Sequence, residues 1–370
     1  MMARIGSHFW THQSCRLASR SGFSIGIFFA ILFFAALANT ARAQQAAPNT
    51  TWAVTIVLPP RLVAGRPATL AVLGVDGRLA EGVTVEVGAP SGTTQHVKTD
   101  KTGRAIFEAP SSVSVLVATA SGASAAALID AAASADALQL ISIAPVISMQ
   151  DQFSICGGKF QGDEDSNHVV LNDDPALVLA ASPECLVILP GPRVIPGPAK
   201  ISIESAAAQW NVTSTLVALN FDPPLPALVP EKKSHLTVHV QGSDRPLGIA
   251  VENKTPGVLR FLRGDVQELH TSGGSQNLAT IEVLAIRSGD FSFHARLLLP
   301  PDAAAARRYL EAAQPLAPKD LAHRVKNVAS RLMHHSGDTE RAASELDAIL
   351  SITIAGDFRT LLVSARAALE

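Results

Sequence analysis

Aromatic and charged residues are both scarce in this 370-residue chain. Phe, Trp and Tyr together make up 5% of the sequence, with a single Tyr and three Trp. Proteins that bind sugars or single-stranded nucleic acids on stacked rings need exposed aromatic platforms, which this composition supplies poorly. Charged residues are 17% of the chain, against about 25% in typical domains, so it is neither a disordered polyelectrolyte nor an acidic tail. With 47% hydrophobic residues, we expect several folded soluble domains.

Clusters of basic residues are also missing. The chain has 30 Lys and Arg against 32 Asp and Glu, a formal charge of −2. Residues 1–43 contain four arginines and no acidic residue, so the remaining chain has a formal charge of −6. Binding to nucleic acid or to anionic lipid calls for clustered Lys and Arg. We therefore expect no nucleic-acid partner, and membrane contact only through the N-terminal segment if it is retained.

The first 43 residues have the three parts of a secretory signal peptide. Residues 1–21 are basic, residues 23–38 are almost wholly apolar, and Ala41-Arg-Ala43 offers the small side chains that signal peptidase accepts. The apolar run is slightly shorter than the roughly 20 residues of a membrane-spanning helix, which favours cleavage over an uncleaved anchor, the alternative. The sequence therefore predicts export to the periplasm or the extracellular space.

Cysteine is rare as well, and its placement agrees with export. Of the three cysteines, Cys15 lies in the predicted leader, which leaves Cys156 and Cys185. An even number in an oxidising compartment favours a disulfide, which in the loop-entropy model stabilises the fold by roughly 3 kcal/mol. Two free thiols in the core are the alternative, because free Cys is among the most buried residue types.

Short alternating apolar runs separated by turn residues fill residues 52–130 and predict an antiparallel β-sandwich. Residues 64–70 and 75–85 resemble the opening hairpin of bacterial Ig-like domains of the invasin kind, and residues 99–107 resemble a later hairpin of that family. In the later hairpin, Asp100 is expected to hold the turn and Gly103 to adopt a positive φ. Ala105 and Phe107 should then alternate onto the buried face.

Residues 138–219 carry a second set of motifs. A Gly-Gly-Lys-Phe turn ends at Phe160, a hairpin spans 167–178, a strand stops at Pro190, and a last strand runs over 197–203. In this order they resemble an IPT/TIG domain, which implies an Ig-like fold without implying a function. Cysteines are not a trait of that family, so a Cys156–Cys185 bridge would be particular to this chain.

The remaining chain changes character at Pro300-Pro301. Residues 231–299 read as a third, small all-β domain of no recognised family, whereas residues 302–370 have helical periodicity. Four helices are predicted, with N-terminal signals at Asp302, Pro318 or Lys319, Asp338 and Asp357, and with ends at Ala313, His335, Leu350 and Leu369. The predicted fold class is mainly β: tandem Ig-like β-sandwich domains followed by a C-terminal α-helical segment.

Two groups of residues are candidates for site chemistry. Asp163, Asp165 and Asp174 partly match the spacing of a calcium loop, but His168 stands where the turn glycine belongs, so a solvated loop is the preferred interpretation. Asp265, His270 and Ser275 are the candidates for a catalytic site assembled without a motif; a hairpin loop is the preferred interpretation there. No cofactor is predicted.

The leading functional hypothesis is an exported, non-catalytic scaffold or adhesion-like module that binds protein partners in the envelope or outside the cell. The alternative is a protein that binds polysaccharide or cell-wall glycan. An enzyme with an unrecognised site is the third hypothesis, because an all-β fold can hold a site that no motif reveals.

Overall fold

The computed structural model describes residues 54–131, 141–206, 208–222, 231–262, 264–334 and 338–370. The predicted leader and residues 44–53, 132–140 and 223–230 lie outside these residues. Within them, 23 β-strands are followed by four α-helices at the C-terminal end. The predicted mainly-β fold with a helical C-terminal segment is confirmed.

The first sandwich has the strand order of an Ig-like domain. One sheet holds β1, β3 and β6; the opposite sheet has the order β2-β8-β7-β4-β5, in which β2 runs parallel to β8. This split of the first strand between two antiparallel sheets is the Ig-like arrangement. The strands are β1 (Thr55–Val57), β2 (Arg61–Val63), β3 (Pro67–Leu73), β4 (Thr84–Gly88), β5 (Thr94–Lys98), β6 (Arg104–Glu108), β7 (Val115–Ala120) and β8 (Ala123–Asp130).

The hairpin before β6 forms as its sequence predicts. The Asp100 carboxylate accepts hydrogen bonds from the backbone N–H and the hydroxyl of Thr102, at 2.8 and 2.7 Å. Gly103 has φ +72°, and a Cβ there would lie 2.6 Å from the Cβ of Leu79, so only glycine fits. Ala105 and Phe107 are both buried in the core of the first sandwich.

The second sandwich is also Ig-like. One sheet has the order β14-β15-β11-β9, and the other has β13-β12-β16-β17 with β10 parallel to β17. The strands are β9 (Ser142–Ile143), β10 (Val146–Ser148), β11 (Phe153–Cys156), β12 (Asn167–Leu171), β13 (Asp174–Pro175), β14 (Leu177–Ala181), β15 (Cys185–Leu189), β16 (Gly197–Ser205) and β17 (Ala208–Asp222).

The Gly-Gly-Lys-Phe turn closes one end of this sandwich. A Cβ on Gly158 would lie 2.2 Å from the Phe160 ring, so the glycine makes room for that ring. Phe160 is buried and packs edge-to-face on Trp210, with 5.3 Å between ring centroids. Trp210 is therefore engaged in the core rather than free as a platform for a sugar.

The predicted disulfide between Cys156 and Cys185 is present. The two residues are direct cross-strand partners on β11 and β15, with Cα atoms 4.1 Å apart. Their neighbours Ile155 and Leu186 point into the core of the second sandwich. Because side chains alternate along a strand, the bridge lies on the opposite, outer face of that sheet.

The third sandwich shares a strand with the second. β17 pairs with β16 along its first part and, from residue 218 onward, with β18. One sheet is therefore β17-β18-β22-β20, and the other is β21-β19-β23. The new strands are β18 (Lys233–Gln241), β19 (Gly248–Asn253), β20 (Leu259–Phe261), β21 (Val266–His270), β22 (Leu278–Ala285) and β23 (Phe293–Leu297).

The helical segment consists of α1 (Ala303–Ala313), α2 (Lys319–His334), α3 (Thr339–Leu350) and α4 (Asp357–Ala367). Asp302 caps α1 as predicted, by accepting from the N–H of Ala305 at 2.9 Å. Asp338 precedes α3 but makes no capping bond. Asp357 is not the cap of α4: Gly356 holds that position, and the Asp357 carboxylate accepts from the N–H of Ser91 at 2.9 Å. Within the described residues, no helix is both long and apolar enough to cross a bilayer.

The helices fold back onto the first sandwich and share a core with it. Val115 and Val117 on β7 and Leu128 on β8 are buried in one cluster with apolar side chains of all four helices. The contact is fixed at one edge by Arg308, whose guanidinium lies 2.6 Å from the Asp130 carboxylate and also donates to the carbonyl of Ile129 at 2.7 Å. The helical segment is therefore not a separate appendage.

The shared core makes the helices depend on the first sandwich for their stability. Leu128→Ala removes a side chain that is 2% exposed, and we expect it to lower the free energy of unfolding by about 2–5 kcal/mol. Helical and β-sheet circular-dichroism signals should then be lost together at a lower temperature. Leu177→Ala, at a residue that is 42% exposed, serves as the control. Helices that melt at the unchanged temperature in Leu128→Ala would contradict a shared core.

Candidate functional site

A groove of about 610 Å³ runs between α4 and the first sandwich. Its floor is the outer face of β4 and β7, where Thr84, Glu86 and Thr119 lie, and one end is formed by the β7–β8 hairpin. Its wall is the first half of α4. The volume lies within the range of roughly 300–1,000 Å³ found for ligand sites.

Local structure explains the position of the groove walls. Ser121 and Gly122 both have positive φ, +48° and +83°, as a tight two-residue hairpin turn requires. The Thr360 hydroxyl donates to the Ser124 hydroxyl at 2.7 Å, which holds α4 beside this hairpin. Because α1 and α4 pack mainly on β7 and β8, the outer face of β4 is left open, and its Thr84 and Glu86 are exposed.

Exposed aliphatic side chains lie on the wall of the groove and in the loop that leads into it. Ile352 and Ile354, in the loop between α3 and α4, are 60% and 87% exposed, and Val363 on the groove wall is 47% exposed. The loop is held by Arg359 of α4, whose guanidinium donates to the carbonyl of Leu350 at the end of α3 and to that of Thr353 in the loop, at 2.6 and 2.8 Å. The two isoleucines are therefore displayed on a fixed loop. We name residues 351–356 the isoleucine loop.

A second notable region joins the first and second sandwiches. The outer faces of the two sheets meet in an apolar cluster that includes Val57 and Ala71 of the first sandwich and Leu179 and Val187 of the second. At one side β3 pairs with β14 through Thr69 and Ala181, so the sheets are continuous.

A buried ion pair lies at the same joint. Arg104 Nε is 3.7 Å from Glu164 Oε1, and both side chains are 8% exposed. Arg104 also donates to the carbonyl of Val178 at 2.8 Å, which ties β6 to β14. Burial raises the pKa of Glu164, and hydrogen bonds together with the charge of Arg104 offset this rise only in part.

The three aspartates with partial calcium-loop spacing are not brought together. The Asp163 carboxylate accepts from the Ser166 hydroxyl at 2.9 Å, Asp165 is exposed, and Asp174 forms an ion pair with Arg193 at 2.9 Å. Asp163 precedes β12 and Asp174 follows it, so five extended residues, on the order of 15 Å, separate them. Among the residues that the structure describes, no group of three His, Cys, Asp or Glu side chains could hold a metal ion.

The residues considered for an enzyme site are also apart. Asp265 immediately precedes β21 and His270 is its last residue, so roughly 15 Å of extended chain lies between them. All three candidates are exposed, and Ser275 lies in the loop that follows. This arrangement provides no nucleophile with an adjacent base.

Sequence reasoning did not identify the groove, because its lining comes from positions between 84 and 364 that only the fold brings together. One signal was present: Ile352-Thr-Ile354 places two β-branched apolar residues between predicted helices, where a loop is ordinarily polar.

No protein-family model and no curated protein matches the chain. Among solved structures, it is similar to the plexin A4 extracellular region, at 12% identity and a TM-score of 0.24, over 68% of this chain and 24% of that one. It is also similar to SGBP-B of the Bacteroides ovatus mixed-linkage glucan utilization locus, solved with a mixed-linkage heptasaccharide, at 9% identity and a TM-score of 0.18, over 65% and 60% of the two chains. Three Ig domains of titin match at 10% identity and a TM-score of 0.15, over 66% and 95%. Since such low TM-scores carry no argument about fold or function, the Ig-like assignment rests on the strand order.

Gly162 tests the joint between the first two sandwiches. Its carbonyl accepts from the Thr69 hydroxyl at 2.7 Å, and a Cβ on Gly162 would lie 2.0 Å from the carbonyl oxygen of Pro67. Gly162→Ala must push the two backbones apart, and we expect a loss of about 1–3 kcal/mol in urea unfolding. Gly257→Ala is the matched control, because its Cβ would meet only the flexible end of Arg287 at 3.5 Å. Equal stability of the two variants would contradict the close approach.

The buried carboxyl of Glu164 should make stability depend on pH. Its pKa is raised in the folded state, so the folded protein binds the proton more readily than the unfolded chain. Its contribution is therefore fully present below the unfolded value of about 4.5 and is lost as the pH rises through the raised pKa. Urea unfolding across this range should show the stability of the natural chain falling relative to Glu164→Gln. A difference between the two proteins that stays constant with pH would contradict the shift.

Proposed function

We propose that this protein is exported and serves as a non-catalytic scaffold that binds other proteins in the envelope or outside the cell. The observation that carries the proposal is the isoleucine loop beside the groove. Exposed apolar patches on a folded surface are typical of protein-interaction sites, and this loop carries two exposed isoleucines next to residues that line the groove. Here Ile354, at 87% exposure, is the most exposed of the large hydrophobic side chains in the described residues.

The packing of the four units supports a rigid scaffold. The first and second sandwiches share an apolar cluster, the second and third share β17, and the helices share a core with the first sandwich. The C-terminal end of the helical segment also contacts the third sandwich. Arg366 lies 3.8 Å from Glu268, and Arg296 pairs with Glu370. A rigid body loses little conformational entropy when it binds a partner.

Export is supported by two independent features. Residues 1–43 have the pattern of a cleavable leader, and Cys156 and Cys185 form a disulfide, which persists in oxidising compartments.

We also propose that the first sandwich is of the invasin kind and the second of the IPT/TIG kind. Their motifs and their Ig-like strand orders support this assignment.

Photo-crosslinking in the producing cell tests the interaction. A photoreactive amino acid in place of Ile354 should give a covalent adduct with another protein of the envelope or medium, because this side chain points away from its own fold. The same amino acid at Ile195, which is 71% exposed on the second sandwich, is the control and should give none. Cell fractionation of the same cultures reports export. An exported, folded protein that forms no adduct at position 354 would argue against the proposal.

A further inference from the structure

We propose that the groove and the isoleucine loop bind a short, extended, aliphatic segment of the partner, in which no acidic residue lies beside the apolar anchor. This inference rests on the proposed function and adds the chemistry of the partner.

The exposed apolar area fits a peptide segment better than a second folded protein. Ile352, Ile354 and Val363 are between 47% and 87% exposed; Val363 lines the groove, and Ile354 directly precedes the lining residues Ala355 and Gly356. A stable interface between two folded proteins buries about 800 Å² on each partner. Three aliphatic side chains supply only a fraction of that area, but they are enough to surround a single aliphatic anchor.

The groove continues the interface between α4 and the first sandwich, at the point where that interface is open to solvent. Leu361, Leu362 and Ala365 of α4 are buried in the core shared with the first sandwich, whereas Val363 faces outward into the groove. A chain laid beside α4 over β4 would extend the same layer of packing onto strands that the helices leave open. The hydroxyls of Thr84 and Thr119 on the floor can hydrogen-bond to the backbone of such a chain.

The charges that line the groove disfavour binding of a segment that contains acidic residues. Glu86 on the floor and Asp357 on the wall are carboxylates, and the lining has one guanidinium, Arg359, which is directed at the carbonyls of the isoleucine loop. The Glu86 carboxylate lies 3.8 Å from Nδ1 of His96, which is charged only if protonated. A like charge brought next to exposed carboxylates is repelled, and this selects against Asp and Glu in the bound segment.

The isoleucine loop is held in shape before binding. Besides the two hydrogen bonds from Arg359, the Thr353 hydroxyl donates to the carbonyl of Ile349 at 2.6 Å. Side chains on a loop that is already ordered lose less entropy when a partner binds, so a short segment can reach useful affinity.

Selection from a phage library of random linear peptides on the intact, disulfide-bonded chain tests the inference. Enriched peptides should share an aliphatic residue and be depleted of Asp and Glu around it. Their affinity for the Ile354→Ser and Val363→Ser variants should be lower by about tenfold or more, whereas Ile195→Ser should bind them as the natural chain does. All three changes are at exposed positions and leave the core intact.

Three outcomes would overturn the inference: no enriched peptides, peptides rich in acidic residues, or enriched peptides that bind Ile354→Ser unchanged. Crosslinking at position 354 separates this failure from failure of the proposed function. Adducts at 354 together with any of these outcomes leave the interaction role standing and remove only the aliphatic segment.

Discussion

The fold depends on one constraint: several of its sheets are apolar on both faces, and each outer face has to be covered by another part of the chain. Val115 and Val117 lie on the outer face of β7, where they are buried in one cluster with the helical segment. Ala71 and Val187 lie on the outer faces of two other sheets, which cover each other. Burying these surfaces is favourable by about 25 cal/mol per Å². A line of independent sandwiches would leave them in water, so the units are packed together rather than strung out.

The groove follows from this packing. The helices cover only the strands whose outer faces are apolar, and they stop where β4 presents Thr84 and Glu86. A polar sheet face gains nothing from a covering helix, so the space beside α4 stays open. The exposed isoleucines in the loop beside it have no such explanation from folding. Their exposure beside an open groove is the reason that the proposed interaction is placed here.

Local features of the fold were predictable from sequence, and long-range ones were not. The Asp100–Gly103 turn and the cap at Asp302 follow from short-range rules of turn and cap chemistry, and the Cys156–Cys185 bridge follows from the even number of cysteines in a chain predicted to be exported. The consecutive apolar residues of β7 also indicate a strand that is buried on both of its faces. Nothing in the sequence says which element covers it. The cap expected of Asp357 was wrong for a related reason, because its carboxylate is engaged by Ser91, 266 residues away.

The buried Arg104–Glu164 pair is best explained by specificity rather than by strength. Apolar sheet faces such as those around Ala71 and Leu179 can slide past one another at little cost, because hydrophobic contact has no preferred direction. A shift at this joint would separate the arginine from its carboxylate and leave each charge buried without a partner, which costs several kcal/mol. Close approach of Gly162 to the first sandwich restricts the same movement. The pair therefore contributes little net stability, but it fixes the relative position of two sandwiches that hydrophobic contact alone would leave free to slide.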